Sequence, residues 1–353
     1  MRITRRPQTT PKGGGPVDRD VSSSRREAHT PLVARARVVA VVTLLAGLTL
    51  LPYGSAATGD DRVLVVLATQ GPVPYPAEQV ESVARDVQEL LHRSSSGRLS
   101  VRFDVTRWLS AYSAAPGCGG LTDASLDGLI APARNAAAQA GYALNGYDQV
   151  VYALPQMCGF HGLTWGEQIL LTREPTVELL AHELGHAFGL GHGEVSLCAV
   201  GCEIESPADP YTIMGTGLSL MDFSVYEKSV LGWIPRQPHA ASAGTYTLAP
   251  APQQTKLAQA LVVDTAEGQW WFEYRVRPFR GLLVRFVDVL HAVPPFAPSS
   301  VLILRPSHAG RDWMASGETY RVTRSFSVSL IRAQTRQATL RLRWLSTRRS
   351  AGH

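Results

Sequence analysis

Residues 182–192, HELGHAFGLGH, place three histidines and one glutamate close together, with two glycines after the second histidine. Apolar side chains with helical spacing run through this stretch and the residues before it: Val177, Leu180, Ala181, Leu184, Ala187 and Phe188. The stripe predicts a helix that buries one face against a sheet. The helix is expected to end at Gly189, because glycine accepts the left-handed conformation that turns a chain sharply.

The spacing of the histidines indicates a metal site. His182 and His186 lie four residues apart, so on a helix they are neighbours and can share one zinc ion. Glu183 is rotated by about 100°, from where its carboxylate can reach a water on the metal without being a ligand. The turn at Gly189 returns His192 toward the other two. Three neutral imidazoles with one open position are typical of catalytic zinc.

Other interpretations of the same stretch are simpler. A single histidine here would be an ordinary surface residue, and the whole set could be the remnant of an inactive site. A helix end, however, needs neither Gly191 nor the third histidine. The coincidence of all these positions therefore favours a zinc site.

The pattern H-E-x-x-H-x-x-G-x-x-H resembles the zinc motif of the metzincin peptidases, and Met214 in YTIMGTG is placed like their methionine turn. A closer resemblance is to the gametolysin-like metallopeptidases. It covers most of residues 60–345, and only the zinc motif in it is highly specific. Its other segments are VVYALPQMCGFHGLTWG (150–166), FSVYEKSVLGWI (223–234), GTYTLAP (244–250) and WWFEYR (270–275).

This resemblance implies a secreted zinc-dependent endopeptidase with one catalytic zinc ion and Glu183 as general base. The substrate would be a protein or peptide, extended along the strand expected at 167–172 if that strand is an exposed edge. No tyrosine closely follows Met214, so a tyrosine that helps to stabilise the oxyanion is not implied. Residues 58–61 lead straight into a predicted strand, so we expect no inhibitory prodomain.

Two alternatives to the peptidase stay open. One is a zinc amide hydrolase that acts on cell-wall material. The other is a binding protein whose β domain works beside a vestigial zinc site. Calcium is conceivable in such proteins, but the sequence contains no ligand cluster that supports it.

The alternation of predicted strands and helices indicates an α/β or α+β sheet domain, and the resemblance implies a metzincin-like catalytic domain with a twisted mixed sheet and an active-site helix. The short β-type runs after residue 235 predict an all-β sandwich-like domain that follows it. We expect a leader over 1–57, the catalytic domain over 58–235, the β domain over 236–345 and a basic tail over 346–353. In the catalytic domain, strands are predicted at 62–69, 99–109, 147–155 and 167–172, and helices at 76–93 and 122–140.

The charge of the chain is concentrated in the leader. Residues 1–37 carry nine Lys or Arg and three acidic residues, whereas the rest of the chain carries 25 basic and 26 acidic residues. The basic balance therefore gives no support for nucleic-acid binding. The uncharged apolar run over 38–51 is typical of a secretory signal, with a retained membrane anchor as the alternative. We expect an extracellular monomer.

Four cysteines follow the leader: Cys118, Cys158, Cys198 and Cys202. An even number in an exported chain favours disulfides. Three pairings are possible, and we favour Cys118–Cys158 and Cys198–Cys202. The second pair would pin a tight loop directly after His192, and a free thiol there could instead reach the metal.

Overall fold

The computed structural model describes residues 57–113, 122–154, 160–198, 201–216, 222–251, 255–289, 296–304 and 310–345. It is a mixed α/β protein of the general α+β class, with three sheets and four α-helices among these residues. The predicted leader lies outside them, apart from its last residue, Ala57. No helix in the described part of the chain has the length and apolar character to cross a bilayer.

The first sheet is built from the region before the histidine motif. Its six strands are β1 (Gly59–Thr69), β2 (Leu99–Val105), β3 (Leu109–Ser110), β4 (Gln149–Ala153), β5 (Gly162–Trp165) and β6 (Gln168–Leu171). The strand order is β2-β1-β4-β6-β5, with β3 paired to β1. All pairs are parallel except β5 with β6. The helices between these strands are α1 (Ala77–Ser94) and α2 (Asp123–Gln139).

Strand β1 explains why this sheet is covered on both faces. Val63, Val65 and Leu67 pack into one core with α1, whereas Leu64 and Val66 pack into another with α2. A parallel strand buried on both faces is expected to be a nearly continuous apolar run, as RVLVVLAT is.

The strand expected at 167–172 was the candidate for substrate binding on the condition that it is an exposed edge, and this condition is not met. Strand β6 occupies this position, but it lies between β4 and β5. Among the described residues, the edge on this side of the sheet is β5, which was not predicted because GLTW is too short to show strand alternation. The single strand expected at 99–109 is interrupted between β2 and β3, where the Thr106 side chain accepts a hydrogen bond from the backbone N–H of Leu67 at 3.0 Å.

The chain then forms the elements around the histidine motif. These are α3 (Val177–Ala187), β7 (Gly193–Ser196), β8 (Ile204–Glu205) and α4 (Val225–Val230). Helix α3 packs on the same face of the first sheet as α1. Sequence periodicity predicted α3 but not the short strands β7 and β8.

Every element described after residue 243 is a strand. They are β9 (Gly244–Leu248), β10 (Ala260–Asp264), β11 (Gln269–Arg275), β12 (Gly281–Val287), β13 (Ser300–Ile303), β14 (Thr319–Arg321), β15 (Phe326–Ala333) and β16 (Ala338–Trp344). The second sheet has the order β10-β11-β12-β13-β7-β8, and the third has the order β14-β15-β16-β9. The two sheets contribute side chains to one apolar core, which includes Phe272, Val284, Phe326 and Leu340.

One sheet therefore draws strands from both sides of the domain boundary predicted at 235. Strand β13 pairs in parallel with β7, in a register that joins Ser300 to Gly193 and Ile303 to Ser196. The boundary itself stays a prediction. The pairing places the first residues after His192 beside a strand from the C-terminal region.

Candidate metal centre

Helix α3 carries the first two histidines, and its start is fixed by a local cap. The Thr176 side chain accepts a hydrogen bond from the backbone N–H of Leu179 at 3.2 Å. Such a cap satisfies one of the backbone donors that the first turn of a helix leaves free. Leu180, Ala181 and Leu184 are fully buried, so the face that bears His182 and His186 is turned toward a cleft.

The helix ends in a Schellman motif. Gly189 has a φ of 92°, its N–H donates to the His186 carbonyl at 2.8 Å, and the Leu190 N–H donates to the Gly185 carbonyl at 2.9 Å. This pair of bonds defines the motif and requires a left-handed residue at the glycine. The chain consequently reverses within one turn, and His192 comes back beside the helix.

The turn brings the three histidines together. One ligand atom from each of His182, His186 and His192 lies within 4.8 Å of the others. The ring centroids are 4.7 to 5.4 Å apart. Three imidazoles at these separations could hold one metal ion.

Backbone carbonyls fix the tautomers of the first two histidines. His182 Nδ1 lies 2.8 Å from the Ile213 carbonyl, and His186 Nδ1 lies 2.8 Å from the Leu190 carbonyl. Because a carbonyl only accepts, each Nδ1 carries the hydrogen when the ring is neutral. Each Nε2 then has a free lone pair, yet the two Nε2 atoms lie only 3.1 Å apart. A cation that both atoms ligate relieves this repulsion, so the residues fit a bound metal.

A side-chain hydroxyl orients His192 in the way that the backbone carbonyls orient the first two histidines. Its Nδ1 lies 3.2 Å from the Ser206 hydroxyl oxygen, and the Glu194 carboxylate is hydrogen-bonded to the side chains of Ser206 and Ser299. The Ser206 proton goes to this carboxylate, so the hydroxyl oxygen accepts from His192 Nδ1. Bonds of this kind set ring orientation and ligand basicity in metal sites.

The environment keeps the histidines neutral. Burial lowers the pKa of His182 to about 4 and the pKa of His186 to about 3, and it also lowers the pKa of His192. Neutral imidazole is the form that binds metal. The site is therefore prepared for a cation over the physiological pH range.

Glu183 lies beside this cluster in a different environment. Its side chain is buried, and the Thr164 hydroxyl donates to its Oε2 at 2.7 Å. Burial raises the pKa of Glu183 to about 7, and the bond from Thr164 partly opposes this rise. Among the described residues, the ligand atoms that come together are those of the three histidines, and Glu183 is not one of them.

Met214 lies beneath the site, in the loop that orients His182. It is fully buried, and a Cβ atom added to Gly185 would approach its Sδ to 2.3 Å. The methionine thus packs directly on α3 between the two helical histidines. The preceding residue, Ile213, supplies the carbonyl that fixes His182.

This methionine loop, residues 209–216, depends on a buried ion pair. Asp209 accepts from the Tyr211 N–H at 2.8 Å through its side chain and from the Thr216 N–H at 3.1 Å through its carbonyl. Its Oδ2 lies 2.7 Å from Nη2 of Arg285, a residue of β12, and both side chains are fully buried. A strand of the C-terminal region therefore supports the loop under the metal site.

The cleft has a volume of about 1030 Å³ and walls from several elements. Strand β5 and helix α3 form part of it, and residues 296–299 form another part. The Phe296 ring lies 5.5 Å from the His186 ring, and the Ala297 N–H donates to the Gly189 carbonyl at 2.7 Å. The sequence contained no periodic signal for this wall, because it lies between strands.

A disulfide joins Cys198 and Cys202 in the connection between β7 and β8. Ile204, the first residue of β8, lines the cleft, so the pinned connection leads directly to its rim. Cys118 and Cys158 lie outside the described residues. Tyr211, in the methionine loop, packs on Phe279, and Tyr226 donates to the Pro298 carbonyl at 2.8 Å.

No protein-family model and no curated protein matches the chain on sequence comparison. What indicates a function for this chain is the set of side chains in the cleft and the resemblance of their motif.

Proposed function

We propose that the protein is a secreted zinc-dependent endopeptidase with a metzincin-like catalytic region. One observation carries the proposal: three neutral imidazoles of fixed tautomer face one point in an open cleft, next to a buried carboxylate that is not a ligand. The Schellman turn at Gly189 and the buried Met214 support the metzincin resemblance. His182, His186 and His192 would hold the zinc ion.

A bound zinc ion would supply Lewis acidity, which makes water a stronger nucleophile at neutral pH and stabilises negative charge on a carbonyl oxygen. Glu183 accepts the proton of the attacking water and later delivers it to the leaving amine. Its raised pKa suits both roles. A group whose pKa lies near the working pH can both accept and donate a proton at a small cost in free energy.

Substrate binding is assigned to strand β5. In the part of the chain that the structure describes, β5 pairs with β6 on one side only, and Gly162, Leu163 and Thr164 line the cleft. An extended peptide can add to such an edge through backbone hydrogen bonds. Recognition of the backbone fits a protein or peptide substrate with preferences set by pockets.

The test compares the purified protein with Glu183→Gln, using casein as substrate and measuring bound zinc. We expect wild type to cleave casein, and we expect the variant to keep about one zinc per chain while kcat falls about 10²- to 10⁴-fold. Glu178→Gln is the matched control, because Glu178 is an exposed carboxylate of α3 that also lines the cleft. Its activity should change little.

The remaining outcomes separate the alternatives. Full activity in Glu183→Gln contradicts the role given to this carboxylate. Wild type that holds zinc without cleaving casein favours the zinc amide hydrolase, and cell-wall material is then the substrate to assay. Wild type without zinc affinity favours the binding protein.

A further inference from the structure

Strand β5 and the Glu183 carboxylate are in direct contact. Gly162 and Thr164 are two residues apart on the strand, so they lie on the same face, and this face meets α3. Glu183 is 4% exposed and Thr164 is 8% exposed, so both are largely removed from water. A buried carboxylate without hydrogen bonds is costly, and its orientation follows the partners it finds.

Thr164 supplies such a partner. Its hydroxyl oxygen lies 2.7 Å from Glu183 Oε2 and 3.0 Å from the Glu183 backbone carbonyl oxygen. A hydroxyl has one proton, so it donates to one of these acceptors at a time. Because both acceptors belong to Glu183, Thr164 stays hydrogen-bonded to this residue whichever oxygen it donates to.

Gly162 has no side chain and so leaves space for the Glu183 carboxylate. A Cβ atom at this position would lie 2.3 Å from Glu183 Oε1 and 2.7 Å from its Cδ. Any side chain at residue 162 would therefore push the carboxylate away from the strand. The two oxygens of Glu183 are thus placed by two residues of one strand: Oε2 by the bond from Thr164 and Oε1 by the gap at Gly162.

We propose that Gly162 and Thr164 are positioning residues for Glu183, and that β5 holds the general base as well as the substrate. The inference rests on the proposed function. The edge of β5 would pair with the substrate peptide, and the inner face of the same strand holds the Glu183 carboxylate. One strand then positions both groups. The distance from the base to the scissile bond is then set within a single strand, and alignment of this kind contributes strongly to turnover.

The kinetic test uses Thr164→Val, which removes the hydroxyl and keeps the shape, and Thr164→Ser, which keeps the hydroxyl. We expect Thr164→Val to lower kcat about 10- to 100-fold, with KM changed by less than about threefold and zinc content unchanged. Thr164→Ser should recover kcat to within about threefold of wild type. The matched control is Thr172→Val, because Thr172 is also a buried threonine but its hydroxyl donates to the Phe160 carbonyl.

A structural test does not depend on turnover. In crystal structures, the Glu183 carboxylate should leave its wild-type position in Thr164→Val and in Gly162→Ala, and should keep it in Thr164→Ser. An unmoved carboxylate in Thr164→Val, or an equal loss of kcat in Thr172→Val, overturns the proposal. If wild type does not cleave peptides, the proposed function fails, and the carboxylate positions still decide whether β5 holds Glu183.

Discussion

The candidate metal site is held by two segments of different construction. The α3–turn segment, residues 176–192, is organised by its own hydrogen bonds, which are the Thr176 cap and the bonds that close the turn at Gly189. The methionine loop is organised from a distance, through Arg285 of β12. Both reach the same histidine, since α3 carries His182 and the loop presents the Ile213 carbonyl to it. We therefore expect that disrupting either segment weakens metal binding at the site.

The largest effect is expected from the distant support. Arg285→Met leaves the buried carboxylates of Asp209 and Glu273 without this guanidinium, and removal of one partner from a buried ion pair costs about 3–5 kcal/mol. We expect the free energy of unfolding to fall by about this amount in denaturant titrations. Zinc affinity should fall as well, because the loop that orients His182 loses its anchor.

Asp209→Asn combined with Arg285→Met is the control for charge. It removes the unpaired Asp209 charge, so part of the lost stability should return. Unchanged unfolding of Arg285→Met would show that the ion pair does not support the loop. Lower stability with unchanged zinc affinity would show that the position of the methionine loop does not depend on the ion pair.

The two segments also differ in how far the sequence predicts them. The spacing of His182, His186 and Gly189 indicated the helix, its end and the ligand set, because all of these are local consequences of helical geometry. The apolar runs likewise predicted β1 and the all-β character of the C-terminal region. No spacing relates Asp209 to Arg285 or Thr164 to Glu183, since these pairs form only when distant segments pack.

The sheet edge shows the same limit. Strand β6 has the apolar run of a strand, and the sequence alone made it the candidate for substrate binding. The neighbouring β5 is four residues long and includes Gly162 and Trp165, so it gave no signal. Which of two antiparallel neighbours becomes the edge is decided by the order of strands in the sheet, and that order is a long-range property.

A smaller effect is expected from breaking the local segment. Gly189→Ala places a Cβ at a φ of 92°, which costs about 1–2 kcal/mol for a residue other than glycine. The strain is relieved by moving the turn that carries His192, so we expect zinc affinity to fall about tenfold. Isothermal titration with zinc and denaturant unfolding measure the two effects separately.

Gly141→Ala is the matched control for this variant. Gly141 also follows a helix, has a φ of 94° and has open space around its missing Cβ. The two variants should lose similar stability, and only Gly189→Ala should lose zinc affinity. Equal zinc affinity in both would mean that the turn does not control the position of His192.

The smallest effect is expected at the residue that orients the third ligand. Ser206 lies in the exposed part of the cleft rim, after the connection pinned by Cys198 and Cys202, and its hydroxyl accepts from His192 Nδ1. In Ser206→Ala, water can replace the hydroxyl, so zinc affinity should fall only about three- to tenfold. Competition with a chelator measures this change, and Ser206→Thr should keep wild-type affinity. A loss as large as that of Gly189→Ala would mean that the rim, like the methionine loop, is an essential support of the site; no loss would leave His192 positioned by the α3–turn segment alone.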